Sequence, residues 1–478
     1  MPKFTLHTQL SMAKAVLTKN SPFYVQFYIT KVCNFKCKMC NIVEANQDVD
    51  PFHNDKIEKI AENLKKIGTG VVLITGGEPF MHRDIDLIVK AFKSRGMDVR
   101  LQTNGYKTRK DKLAKCVEYG ARDISISLDS LDEELFDYIN TFKGSTIGAL
   151  ETVSYISRTF PKNDSLCAFG CVLSKYNVDE IDAILEFATR IGWYLSLVPV
   201  HITKTDNPLN FRGYDEFFEF KPEDYPKVKE LIERLKRKKR EGYNLFDSDA
   251  YLDSIYHFIT TGKPNWRHND VCDSPNLYFA VLPDGRFAPC CDHRLKEMIY
   301  VYDDDFPEKY WSKELRSKVT EITTKCPGCN YGSYPEMTLS ARSYSALLER
   351  LYLQMKTKSK SLVPLTEEEI MKIFNEVKSK YPIYKEKRIM PLREKKKWPM
   401  VPNIPKKLWQ TSDPAFKPVV IQNHHSSRSD PLPVEDAEVK TTEIVSKISH
   451  PEARPEATES EAVKAEIEFY DAQDAQEK

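Results

Sequence analysis

Between about residue 23 and residue 200, short runs rich in apolar and β-branched residues recur at regular intervals. They read FYVQFYIT (23–30), GVVLIT (70–75), DVRLQT (98–103), DISISLD (123–129), LCAFGCVL (166–173) and YLSLVPV (194–200). Between them lie longer stretches such as HNDKIEKIAENLKKIG (53–68) and NVDEIDAILEFATRIG (177–192). Their apolar residues fall three and four positions apart, and both end in the glycine of a helix C-cap. Six strands alternating with helices predict an α/β fold, a parallel sheet closing into a partial (β/α)6 TIM-like barrel. Working residues are expected where strands end.

The pattern changes on either side. Residues 1–20 read as an N-terminal helical segment, 21–205 as the core and 206–271 as a variable bridge. The bridge carries an aromatic loop, FRGYDEFFEF, and a basic helix, YPKVKELIERLKRKKR, expected to be a solvated helix face. Residues 272–335 form a small cysteine-rich module. Residues 336–390 form a helical extension with two amphipathic segments, SYSALLERLYLQMK and TEEEIMKIFNEVKSKY. From 391 to 478 a proline-rich, basic linker gives way to an acidic tail poor in aromatics, which is expected to be disordered.

Composition narrows the function. The formal charge of +1 gives no global pull toward nucleic acid, and 41% hydrophobic with 29% charged residues suits a soluble globular protein. No apolar run is long enough for a membrane span, and lysines interrupt the N-terminal apolar stretch where a secretory signal would not have them. The eleven cysteines cluster rather than spread, which points to metal ligation in a reducing, cytoplasmic compartment.

The first cluster is VCNFKCKMC, with Cys33, Cys37 and Cys40 on the loop after the first strand. Thiolates select zinc, copper(I) or iron–sulfur. A structural zinc needs a fourth ligand, which neither Asn34 nor Asn41 supplies well. A [4Fe-4S] cluster on three cysteines leaves one iron open to an external ligand.

ITKVCNFKCKMC, with Phe35 and Met39, resembles the cluster loop of the radical S-adenosylmethionine (SAM) superfamily. TGGEPF (75–80) resembles that family's GGEP motif, and LQTNG (101–105) and SISLDSLD (125–132) end the third and fourth strands. The resemblance spans roughly residues 20–200. It implies that SAM chelates the open iron and that reduction yields methionine and a 5′-deoxyadenosyl radical, which takes a hydrogen from a substrate. An electron donor such as flavodoxin or ferredoxin is implied with it. Gly76 and Gly77, lacking Cβ, would let backbone approach SAM, Glu78 would face its ammonium and Pro79 would stiffen the turn. Asn104, Ser127 and Asp129 would contact SAM or substrate, or else cap the helices that follow. Where many relatives carry Arg-Gly after the fourth strand, this chain has FKGS, so Lys143 would offer only a point charge to a carboxylate.

In the second cysteine region Cys272 and Cys290 lie eighteen positions apart, with Gly285 five before Cys290, and KCPGC adds Cys326 and Cys329. NLYFAVLPDGRFAPC reads as a β-hairpin whose second strand delivers a cysteine. Four thiols suit either zinc or a closed [4Fe-4S] cluster. The arrangement resembles the "twitch" domain, a shortened SPASM domain, of 2-deoxy-scyllo-inosamine dehydrogenase and peptide-modifying relatives. No cysteine follows Cys329, so one auxiliary cluster is implied rather than two. Cys291 is the alternative to Cys290. Cys167 and Cys171 share one face of a strand, as core residues or with one of them as a hydrogen donor, and Cys116 is read as structural.

Two classes of function stand side by side. One is a radical SAM oxidoreductase or transformase acting on a small molecule or, as a maturase, on a ribosomal peptide. The other is a non-catalytic protein stabilised by zinc or iron–sulfur, which would have no use for an open coordination position.

Overall fold

The computed structural model describes residues 4–46, 54–202, 216–356 and 362–385. All fall in the first of two compact units, Met1–Pro418; the second, Val419–Lys478, and the expected disordered tail lie outside the described residues, as does half of the aromatic loop.

The six expected strands form at the expected places: β1 Tyr24–Tyr28, β2 Val71–Thr75, β3 Asp98–Thr103, β4 Asp123–Ser127, β5 Leu166–Leu173 and β6 Tyr194–Pro199. Each pairs in parallel with its sequence neighbour, in the spatial order β6-β5-β4-β3-β2-β1. The hairpin of the cysteine-rich region supplies β7 Tyr278–Val281 and β8 Phe287–Ala288. β7 runs parallel to β1, pairing Tyr24 with Tyr278 and Phe27 with Val281, while β8 turns back antiparallel. The hairpin thus extends the main sheet beyond β1.

Strand alternation sorts the side chains into two layers. Val25, Phe27, Val72, Ile74, Leu101 and Ile126 belong to one buried cluster with helix residues such as Ile60, Leu64, Ile88 and Phe92. The helix Ile57–Ile67 that supplies two of these ends as its pattern predicts, at Gly68 in the left-handed region, whose N–H reaches Leu64 and Lys65 carbonyls. Cys116, Cys167 and Cys171 lie in this helix-facing layer. The opposite face carries Gln26, Gln102, Ser125, Ser127, Gly170 and Ser196 beside Tyr24, Tyr28 and Leu73, which pack in a second buried cluster.

The basic helix, Tyr225–Arg240, is not a freely solvated face. Arg234 and Lys238 both reach Asp182 at 2.8 Å, Lys236 pairs with Asp253, and Lys239 pairs with Asp249 at 2.6 Å. Its cations therefore fasten two neighbouring helices. The helix Glu367–Lys380 starts with a Thr366/Glu369 capping box and buries Ile370, Phe374 and Val377 in the main core. Among the described residues no helix is long and apolar enough to cross a membrane.

A buried carboxyl at the sheet gives a pH-dependent prediction. Asp247 accepts from Leu197 N at 2.7 Å and Ser196 Oγ at 2.8 Å. Burial, helped by the negative charge of Glu336, pushes its carboxyl up to about 7. The folded state thus holds a proton that the unfolded chain releases near pH 4. This stabilisation is present below that pH and is lost as pH rises through about 7, amounting to on the order of 4 kcal/mol. Asp247→Asn keeps an acceptor without the charge. Thermal melts should therefore show the variant gaining on wild type from pH 4 to pH 8; a gap constant over that range would contradict the assignment.

Candidate active site and metal centres

β1 ends at Tyr28 and the chain enters the loop carrying Cys33, Cys37 and Cys40, none of them in a disulfide. The loop is held through its backbone: Gly77 N–H donates to Thr30 O at 3.0 Å, Glu78 N–H to Val32 O at 2.8 Å and Lys38 N–H to Ile139 O at 2.8 Å. Burial, and then the charges of Cys33 and Cys40, push the Cys37 thiol well above its ordinary range, so the three thiols stand within electrostatic reach of one another. Three thiols held together in part-buried surroundings cannot all ionise unaided, whereas a bound metal centre removes their protons outright. Among the described residues no three His, Cys, Asp or Glu side chains converge on a single ion. A cluster makes no such demand, because each cysteine ligates its own iron.

The glycines of TGGEPF explain how the loop is seated. A Cβ on Gly76, whose φ is +148°, would stand 2.5 Å from Thr30 O; one on Gly77 would stand 2.0 Å from Val32 O and 3.0 Å from Cys33 N. The close approach they permit in this structure is that of the cysteine loop itself. Pro79 opens a short turn, Pro79–Met81, capped by Glu78. The Glu78 carboxyl accepts from Phe80 N at 3.0 Å, Thr103 Oγ1 at 2.7 Å and Asn104 N at 2.8 Å, clasping the ends of β2 and β3. Burial outweighs these three donors and pushes it up to about 7.

Asn104 Oδ1 accepts from Tyr106 N at 2.9 Å, and its Nδ2 donates to Asn34 Oδ1 at 2.6 Å, beside Cys33. Ser127 ends β4, opposite Gly170. Asp129 is buried and accepts from Val172 N at 2.6 Å; burial pushes it up to about 7, and its charge acts on Cys37. The helix-capping alternative fails for Asn104 and Asp129, because Arg109 and Asp132 hold the N-cap positions. Lys143 is exposed in the turn before the helix Ser145–Thr159. Its neighbour Phe142 packs on Tyr106 and Phe35, with ring centroids 4.7 and 5.4 Å away. Phe35, Tyr106 and Phe142 thus pack as one aromatic group, of which the sequence marks only Phe35.

The second region gathers four thiols. Burial raises Cys272, followed by the charges of Cys326 and Cys290; burial and then Cys290 push Cys326 up to about 11. Burial raises Cys329, followed by Asp292, Cys272, Cys326 and Cys290. Cys290 is thus the thiol that acts on the other three, while Cys291 is buried and its N–H donates to Tyr334 Oη at 3.0 Å. The hairpin turn that aims Cys290 has Gly285 at φ +84°, and Asp284 Oδ1 accepts from Arg286 N at 3.0 Å.

Three residues that sequence reading missed frame this site. Trp266 Nε1 donates to Cys329 O at 2.9 Å, Arg267 Nη1 to Cys326 O at 3.0 Å, and His293 Nε2 lies 3.1 Å from Cys326 Sγ. Between the two cysteine groups, Arg294 donates to Cys291 O at 2.9 Å and to Asn46 Oδ1 at 3.3 Å. Cys40, Cys272 and Cys290 all pack against one buried cluster with Tyr28, Trp266 and Tyr331, so a single packed layer joins the groups.

Known proteins resemble the chain in this region. Residues 27–188 match the sequence profile of the Radical SAM superfamily. A "Probable GTP 3′,8-cyclase" of Thermococcus kodakarensis is 27% identical over 271 residues, spanning 55% of this chain and 82% of that protein. The GTP 3′,8-cyclase of Staphylococcus aureus strain JH9 is 37% identical over 138 residues, 27% of this chain and 40% of that one. Among solved structures, Streptococcus suis SuiB bound to its precursor peptide SuiA aligns with a TM-score of 0.48 at 16% identity, covering 71% of this chain and 77% of that one. The family profile and the cysteine loop seated on its two glycines coincide: residues 27–188 are similar to the radical SAM superfamily, a family whose chemistry implies a [4Fe-4S] cluster and SAM.

Proposed function

We propose that the chain abstracts hydrogen from an organic substrate, using an open [4Fe-4S] cluster on Cys33, Cys37 and Cys40 and one closed auxiliary [4Fe-4S] cluster on Cys272, Cys290, Cys326 and Cys329. The observation that carries this reading is the pairing of a three-thiol loop, seated backbone to backbone on Gly76 and Gly77, with a separate four-thiol set on the same packed layer. When bound, the first cluster and SAM supply a 5′-deoxyadenosyl radical.

The chain's own residues do the positioning. Gly76, Gly77, Glu78 and Pro79 hold the loop, and Asn104 fixes Asn34 beside it. Ser127 and Asp129 stand at the end of β4, where SAM or substrate would meet them. Phe35, within that loop, packs with Tyr106 and Phe142. Residues 272–335 then act as a twitch-like auxiliary module, and the outcome is oxidation or another radical modification of a small molecule or a peptide. The electron that starts the reaction would come from a donor such as flavodoxin or ferredoxin.

A nucleotide is the second substrate reading, favoured by the name of a relative aligned over 82% of its length. Reduced enzyme with SAM should be offered GTP in one reaction and, in another, any short peptide encoded beside this gene. The true substrate class is expected to stimulate 5′-deoxyadenosine formation and to change mass. A cyclised nucleotide would overturn the peptide reading, and a peptide short of a pair of hydrogens would overturn the nucleotide one. A chain that holds iron but never cleaves SAM would point instead to clusters that only stabilise the fold.

A further inference from the structure

His293 follows Cys290 by three positions and brings its Nε2 to 3.1 Å from Cys326 Sγ. A ligated cysteine sulfur carries no proton, so in the loaded site this contact can only be a donor nitrogen facing an acceptor sulfur. That requirement selects the tautomer protonated at Nε2. The same sulfur accepts from Gly328 N at 3.3 Å, and Cys290 Sγ accepts from Asp292 N at 3.4 Å. Gly328 can make its contact because its φ is +97° and it has no Cβ; one would stand 2.4 Å from Pro264 Cγ. The donors are thus built into the chain around the thiols, and His293 is a side-chain donor that can be removed without touching a ligand.

Hydrogen bonds to cluster sulfurs spread the negative charge that arrives on reduction, and so make reduction easier. We propose that His293 is a positioning residue which, through an Nε2–H···Sγ bond to Cys326, holds the reduction potential of the second centre above the value its four thiolates alone would give. The proposal rests on the four-thiol reading of that centre. It assigns His293 no ligand role, since the four cysteines already complete the set.

The test is a redox titration of the full-length, anaerobically reconstituted protein followed by electron paramagnetic resonance, with and without SAM. SAM should perturb the signal of the first centre and leave that of the second, which identifies the two. His293→Phe is expected to retain about eight irons, as two [4Fe-4S] clusters require, and to move only the SAM-insensitive signal, toward more negative potential. His293→Gln, which returns an N–H donor at a similar reach, should recover most of that shift. An unmoved potential in His293→Phe with its iron intact would overturn the proposal. So would loss of the second centre from both variants, which would make His293 a ligand or a structural prop. A wild-type protein holding only about four irons would overturn the four-thiol reading itself, and this proposal with it.

Discussion

Gly77→Ala is expected to strip the first centre of its iron and to abolish SAM cleavage while leaving the second centre in place. The new Cβ would stand 2.0 Å from Val32 O and 2.5 Å from Val32 C, both backbone atoms. No rotamer change relieves an overlap with backbone, so the loop bearing Cys33 must move. Overpacking of this kind costs about 1–3 kcal/mol and sometimes more, and here the cost falls on the segment that aims the thiols. Iron content should drop from about eight to about four per chain, with the signal of the second centre retained. Gly242→Ala is the matched control: its φ is +101° but nothing lies within 4 Å of the added Cβ, so backbone strain is introduced without a collision. Full iron content in Gly77→Ala would show that the loop is seated some other way.

The second large effect separates two adjacent cysteines. Cys290→Ser should lose the second centre, because the Cys290 charge acts on Cys272, Cys326 and Cys329 alike. Cys291→Ser should keep it, because Cys291 is a buried member of the apolar layer with Tyr28 and Tyr334, against which Cys290 only packs. Its cost is one of packing, a polar hydroxyl in an apolar layer, on the order of 1–3 kcal/mol. Iron and zinc analysis of both variants against wild type decides the matter. Retention by Cys290→Ser with loss by Cys291→Ser would reverse the ligand assignment, and zinc in place of iron would replace the cluster by a structural zinc site.

Much of this was readable in the chain because its local signals agree with the fold. Runs such as GVVLIT and DVRLQT are β-branched, of strand length and bounded by glycine or polar turns, and they became strands at almost the same residues. Cys33, Cys37 and Cys40 were recognisable because their spacing is short-range. What escaped depends on partners far along the chain. Nothing in NLYFAVL says that β7 will pair with β1, more than 250 positions earlier. Trp266, Arg267 and His293 are ordinary residues until the fold sets them against Cys326 and Cys329. The basic run 234–240 looked solvated because its acidic partners, Asp182, Asp253 and Asp249, sit on other helices. The glycines of TGGEPF are expected to let backbone approach SAM; what lies against them in the fold is the backbone from Thr30 to Cys33.

The measurement that bears most directly on the account is 5′-deoxyadenosine formation from SAM by the anaerobically reconstituted, reduced protein, beside the same protein carrying Cys33→Ala, Cys37→Ala and Cys40→Ala. Wild type should form 5′-deoxyadenosine and methionine. The triple variant should form neither, while keeping the roughly four irons of its second centre. Continued cleavage by the triple variant, or no cleavage by wild type with its first centre fully loaded, would contradict the claim that this loop makes the radical.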